Sequence, residues 1–122
     1  MARHEFRSRC SIARTLEIVG DKWTLLIVRD LMWHGKQTFQ ALQDSAERVP
    51  SNILSDRLKR LVQWGLVDRS AYQTNPVRYV YRLTDKGRSL EPVLLDIMAW
   101  GHANLGGGRY DPASGKSWKG SQ

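Results

Sequence analysis

One cysteine, Cys10, stands in a chain of 122 residues, so no intramolecular disulfide braces the fold and the usage fits a reducing compartment. No apolar run reaches membrane-spanning length and no basic-then-hydrophobic leader opens the sequence, which sets the expectation of a cytoplasmic protein. His4, His34 and His102 are scattered and make no metal-ligand spacing with a lone cysteine. No glycine-rich phosphate loop is present, and nothing calls for a cofactor. Asp30 and His34 lie one helical turn apart, but no serine or cysteine is placed beside them as a nucleophile; a local hydrogen bond is the expectation. Acids are also scarce, 12 against 19 lysines and arginines, for a net charge of +7 and a pI near 10.0. That imbalance points to a polyanionic partner. The length suits one domain whose core is cramped for a deep enzymatic pocket.

The most informative stretch runs from Pro50 to Thr84. Ser51 after Pro50 is the expected N-cap of a helix, since its hydroxyl can accept from a free first-turn amide. Leu54, Leu58, Leu61 and Val62 recur at spacings of three and four and form an inward stripe. Asn52, Asp56, Lys59, Arg60 and Gln63 fall opposite, flanked by Ser55 and Arg57, giving amides, hydroxyls and cations suited to base edges and phosphates. Gly65 ends the helix. Two strand-like runs, Leu66 to Tyr72 and Val77 to Leu83, flank the turn Gln73, Thr74, Asn75, Pro76. In the second run Val77, Tyr79, Tyr81 and Leu83 share one face, and Arg78, Val80 and Arg82 the other. A helix followed by a basic hairpin is the order of a winged helix-turn-helix, with the wing along the DNA backbone or minor groove. From Ser51 to Arg82 there are six cations against two acids, leaving +4 of the total +7. Either element alone would as readily be solvated surface; together they favour DNA.

Before this motif, residues 1–10 carry Arg3, Arg7 and Arg9 without apolar periodicity and read as a mobile basic arm. A first helix is expected over Ser11 to Val19 with Ile12, Leu16 and Val19 inward, closed by Gly20. A second, from Lys22 to about Trp33 and capped by Asp21, is apolar nearly all round and should centre the core. Thr38 should cap a short third helix with Phe39, Leu42 and Ala46 inward. After the wing, Thr84 should cap a last long helix in which Pro92 marks a kink or a new start. Its stripe of Leu90, Val93, Leu94, Ile97, Met98, Gly101 and Leu105 is wider than a small core covers, and reads as a dimerisation element. From Gly106 the Gly, Ser and Lys content suggests a disordered tail over 106–122, in which Trp118 is unexplained.

The segments CSIARTLEIVGDKWTLLIVRD from Cys10, SNILSDRLKRLVQWGLVDR, VRYVYRLTDKGRSL and IMAWG together resemble the HxlR-type branch of the MarR-like bacterial transcriptional regulators, over roughly Cys10 to Gly101. The resemblance implies a mainly α fold with a small β-hairpin wing, a winged helix-turn-helix with terminal dimerisation helices. It implies a homodimer bound to an inverted repeat in double-stranded DNA; the lack of a long apolar run sets the separate expectation of no membrane partner. Carried over by position, Ser51, Asn52, Ser55 and Lys59 would face the major groove, Arg57 and Arg60 would contact phosphate or base, and Thr74, Asn75 and Arg78 would be wing contacts. Asn52 departs from the lysine or arginine many relatives carry, and Ser11 from a common proline.

Cys10 falls at a helix start near Arg7, Arg9 and Arg14, surroundings that favour thiolate. The resemblance implies that a cysteine here senses oxidants or electrophiles; the alternative is a small inert side chain packed at the dimer seam. Other readings remain at this point: a nonspecific architectural DNA binder, a winged-helix protein-interaction module, and, with least support, a small enzyme using Cys10. The sequence names no small-molecule effector.

Overall fold

The computed structural model of the chain describes residues 4–119. Helix α1 (Ser11–Val19) begins at Cys10, whose backbone is extended and whose side chain caps nothing. Val19 is buried, but Ile12 and Leu16, expected inward, are 72% and 58% exposed. The correction is physical: only the C-terminal end of α1 reaches the core, so the apolar stripe seen in the sequence faces outward.

Helix α2 (Thr24–Trp33) is the centre of the core, with Ile27 and Val28 buried. It starts later than its periodicity suggested because Asp21 holds the chain in a turn first. The Asp21 carboxylate accepts from the amides of Trp23 and Thr24 at 3.1 and 3.2 Å and from the Thr24 hydroxyl. Helix α3 (Phe39–Gln43) is capped by Thr38, whose hydroxyl accepts from the Ala41 amide at 3.2 Å. Leu42 is buried as expected, whereas Ala46 lies past the helix end and is exposed.

Helix α4 (Ser51–Gln63) buries Leu54, Leu58 and Leu61. Pro50, not Ser51, occupies the N-cap position, and no side chain caps this helix. The proline ring holds φ at −60° with an extended ψ of 144°, so Ser51 becomes the first helical residue. Gly65 leaves the helix at φ 74°, a conformation that glycine adopts without a Cβ clash.

Strands β1 (Val67–Thr74) and β2 (Val77–Leu83) then pair antiparallel, from Val67 opposite Leu83 to Thr74 opposite Val77, with a register shift between Ala71 and Gln73. Such a bulge adds twist near the hairpin tip. The chain before α3 is stitched to this sheet: Thr38 bridges Val80, and the Tyr81 amide donates to the Gln37 carbonyl at 2.7 Å.

Of the kink or new start expected at Pro92, the structure shows the new start, so the segment from Thr84 is two helices. Thr84 caps the short α5 (Asp85–Arg88), and α6 (Glu91–Leu105) starts afresh with Pro92 in its first turn, where the missing amide leaves no bond unmade. Gly87 is required in α5, since a Cβ there would lie 2.1 Å from the Leu66 carbonyl oxygen.

Two terminal expectations are corrected. The segment after Gly106 forms a hairpin, β3 (Arg109–Asp111) paired with β4 (Lys116–Trp118). Its turn is built by Asp111, which accepts from the Ala113 amide at 3.0 Å and the Ser114 hydroxyl at 2.7 Å, and by Gly115 at φ 73°; an Asx-type turn of this kind looks like low complexity in sequence. Residues 120–122 of the expected tail, and 1–3 of the expected arm, lie outside the described residues. The rest of the arm packs on the domain, with Phe6 stacked on Trp64 at 5.9 Å and His4 edge-on to the same ring at 4.9 Å.

Two polar ties join the layers. Asp30 is buried and accepts from the Ser45 hydroxyl at 2.5 Å and from Arg29 at 3.0 Å; it does not make the expected side-chain bond to His34, whose amide instead donates to the Asp30 carbonyl. Arg29 also grips Glu47 with two bonds of 3.0 and 2.7 Å. Farther along, Arg57 donates to Asp21 at 2.8 Å. Partial burial pushes the Asp21 carboxyl up, but the Thr24 hydroxyl, Arg57 and the Trp23 amide outweigh it and hold the group at about 2, against an ordinary 3.8. A depressed folded-state value means the contribution is present above pH 3.8 and is lost as pH falls toward 2. Acid titration of unfolding should therefore show Asp21→Asn losing on the order of 1 to 2 kcal/mol at neutral pH, with the gap to wild type closing between roughly pH 4 and 2.

Candidate nucleic-acid interface

The three buried leucines fix how α4 is rotated about its axis, and that rotation decides what it shows. Ser51, Asn52, Ser55, Asp56, Lys59 and Gln63 are exposed, and positions 52, 55, 56, 59 and 63 form one stripe at helical spacing. Four of the six sequence candidates on this helix, Ser51, Asn52, Ser55 and Lys59, are thus brought onto open surface. Arg60 is half-buried at the side of that stripe.

Arg57 is not part of it. Its guanidinium turns toward the start of α2 and pairs with Asp21 and with Asp56, leaving 21% of the side chain exposed. The sequence placed it on the flank of the polar face; the carboxylate that claims it is 36 residues away and was invisible to a helical wheel.

The turn between α3 and α4 supplies a cation that sequence reasoning left as connector. Arg48 is exposed and holds φ 55°, uncommon for a residue with a side chain. The only sequence signal was a positive charge two residues before a prolyl helix start. Arg29, bound to Glu47, and Lys36, which donates to the Ser45 hydroxyl at 2.9 Å, anchor the same turn from behind.

On the wing, Thr74, Asn75 and Arg78 are exposed at the tip, as the hairpin reading expected. The Gln73 side chain donates to the Pro76 carbonyl at 3.1 Å and closes the turn. Lower down, Tyr81 and Leu83 enter the core, while Arg82 stays exposed and Arg69 stands over the Tyr79 ring at 4.4 Å. The wing is rooted by apolar residues at its base and presents polar and cationic ones at its end.

A second surface is apolar. Ile97, Trp100 and Leu105 of α6 are 51%, 63% and 73% exposed, Val93 of the same helix is exposed, and so are Ile12 and Leu16 of α1. Two residues of the expected stripe do not belong to it: Leu94 is buried in the chain's own core and Leu90 packs against that core. Met98 and Gly101 are half-buried, and Met98 accepts from the Tyr110 amide through sulfur at 3.2 Å.

Cys10 is exposed. Its amide donates to the Ser8 hydroxyl at 3.0 Å. Arg14 donates to the Ser8 carbonyl at 2.7 Å and stacks over Phe6 at 5.0 Å, so the cysteine sits where the arm joins α1.

The chain matches the HxlR-like helix-turn-helix family over residues 18–108. It is 40% identical over 102 residues to an uncharacterized HTH-type transcriptional regulator of Mycobacterium tuberculosis (strain CDC 1551 / Oshkosh), a stretch covering 84% of this chain and 63% of that protein. It thus spans a little over three fifths of that relative's length. The HTH-type transcriptional regulator YodB of Bacillus subtilis (strain 168) is 32% identical over 68% of this chain and 73% of its own. The structure of YodB in its reduced form superposes with a TM-score of 0.64 at 28% identity, over 80% of this chain and 95% of that one. The redox regulator HypR in its oxidized form superposes with a TM-score of 0.66 at 32% identity, over 78% and 97%. With helix, turn, helix and wing in this order and the match extending through all of them, the chain belongs to the HxlR-like helix-turn-helix family and has its winged helix-turn-helix fold.

Proposed function

We propose that this chain is a cytoplasmic, non-catalytic transcription regulator that binds duplex DNA as a homodimer on an inverted repeat. The observation that carries the reading is the exposed polar stripe of α4, held by three buried leucines between a cationic turn and a basic wing. Ser51, Asn52, Ser55 and Lys59 face the major groove and read base edges, with Arg60 beside them. Thr74, Asn75 and Arg78 touch backbone at the wing, and Arg48 takes the phosphate role that Arg57 does not fill. Two copies place their helices one DNA turn apart, roughly 34 to 36 Å. An architectural binder would have no use for so mixed a helix face.

The contacts divide by what they touch. Arg78→Ala and Arg48→Ala lower affinity for every duplex and flatten the salt dependence, because they remove phosphate contacts. Asn52→Ala and Ser55→Ala change which bases are tolerated, by roughly 1 to 3 kcal/mol at a contacted position. Binding of the chain to its own upstream DNA against a random duplex, titrated with salt, separates the two; equal loss on all sequences from all four substitutions refutes the base-reading assignment.

The exposed apolar residues of α1 and α6 supply the dimer contact, with Leu16, Ile97, Trp100 and Leu105 at its centre. An apolar patch of this kind is a natural interface between copies. Trp100→Asp should convert the protein to monomer in analytical ultracentrifugation while leaving its circular dichroism intact; a dimer that persists in Trp100→Asp and Leu16→Asp together would place the contact elsewhere.

Cys10 is read as a thiol sensor. Its exposure at the joint of arm and α1 supports this, as does likeness to two regulators, one named for redox regulation and one solved in a reduced form. Diamide or a quinone should weaken DNA binding several-fold in wild type, dithiothreitol should restore it, and Cys10→Ser should be indifferent. Identical responses of both proteins would make the cysteine structural.

A further inference from the structure

The β3–β4 hairpin lies beyond the family match, which ends at residue 108, and it borders a partly open cavity. Between α2, α6 and this hairpin there is a space of about 400 Å³, within the size range of small-molecule sites. Its walls are Leu25 and Leu26 of α2, Met98 of α6, and the aromatic side chains of Trp33, Tyr110 and Trp118. Two of these rings are pinned. Trp33 donates its indole N–H to Glu91 at 2.9 Å; Tyr110 sits 5.6 Å from the Trp33 ring and edge-on to His34 at 4.9 Å. Trp118 is 50% exposed at the hairpin's end, a large ring that an apolar occupant would shield from water.

Charge narrows the occupant. Arg29 lines the cavity, but Glu47 and Asp30 already satisfy its guanidinium; Arg109 lines it as well and is exposed to solvent. The lining is therefore mostly apolar and aromatic, with Arg109 as a solvent-exposed cation beside it. The cavity borders the face proposed for the second copy, because Ile97 lines it, whereas Ile12, Leu16, Trp100 and Leu105 do not.

Arg29 gives the cavity a route to the helix-turn-helix. Arg29, which lines the space, grips Glu47 with its guanidinium, in the turn between α3 and α4. An apolar occupant would exclude water from that ion pair, and a lower local dielectric strengthens it.

We propose that this cavity binds an uncharged, flat aromatic molecule and that its occupancy stiffens the α3–α4 turn through Arg29 and Glu47. The probe is N-phenyl-1-naphthylamine, titrated by its own fluorescence into the full chain without DNA, so the outcome is independent of the regulator reading. Saturable binding at one site per chain is expected, weakened about tenfold or more by Trp118→Ala and by Tyr110→Ala and unchanged by Trp100→Ala. Absence of saturable binding in the folded wild type overturns the site, as does loss in Trp100→Ala with retention in Trp118→Ala. The same ring skeleton carrying a sulfonate, 8-anilino-1-naphthalenesulfonate, should bind no tighter; tighter, steeply salt-dependent binding overturns the uncharged class. Amide exchange of residues 44–50 should slow several-fold with saturating probe, and Glu47→Gln should remove the slowing while keeping probe affinity. Unchanged exchange in wild type overturns the coupling.

Discussion

Burial of Leu54, Leu58 and Leu61 is the constraint on which the remaining architecture depends, because a helix that must hide one stripe has no freedom left in what its opposite stripe presents. Those three side chains lie in one cluster with Val28, Leu42 and Val67, so a single packing event joins α2, α3, α4 and the root of the wing. A buried leucine in such a site is worth about 2 to 5 kcal/mol against alanine, comparable to much of a small domain's net stability. Rotation of α4 by even one residue position would bury a polar group and expose a leucine, so the polar stripe and the core are one solution.

Polar ties then adjust what packing leaves loose. Arg29 spans Asp30 in α2 and Glu47 in the turn, and its hydrogen bonds with Glu47 hold that carboxyl below its usual range despite partial burial. Arg57 and Asp21 do the same between α4 and the chain before α2. Both arginines spend their charge inside the domain, which leaves Arg48, Lys59, Arg78 and Arg82 as exposed cations of the turn, the polar helix and the wing that can meet a polyanion. The net charge alone overstates how many are available.

The two ends of the chain serve the same frame differently. The arm from His4 packs aromatic rings on Trp64, at the end of α4, so the region around Cys10 and the terminus of the polar helix share a contact. The far end closes with a hairpin seated on Trp33 and His34 through Tyr110. Neither attachment is periodic. Each depends on single aromatic residues meeting partners 58 to 77 positions away, as Phe6 meets Trp64 and the Tyr110 hydroxyl meets the Trp33 carbonyl.

Local chemistry decided a good deal by itself. Helical spacing of leucines located α4 and its inner face, strict alternation located β2, Gly65 and Thr38 marked an end and a start, and the order of helix and basic hairpin announced the winged fold with Ser51, Asn52, Ser55 and Lys59 outward. These are nearest-neighbour effects, set by backbone sterics and the 3.6- and 2-residue periods. Long-range geometry decided the rest. Periodicity shows that Ile12 and Leu16 form a stripe but not whether the stripe meets this core, and it groups Leu90 and Leu94 with Ile97 although only the latter is free. It cannot show that Arg57 belongs to Asp21, or that Trp118 borders a cavity, because a side chain's partner is fixed by the path of the whole chain through space, which is a property no window of sequence contains.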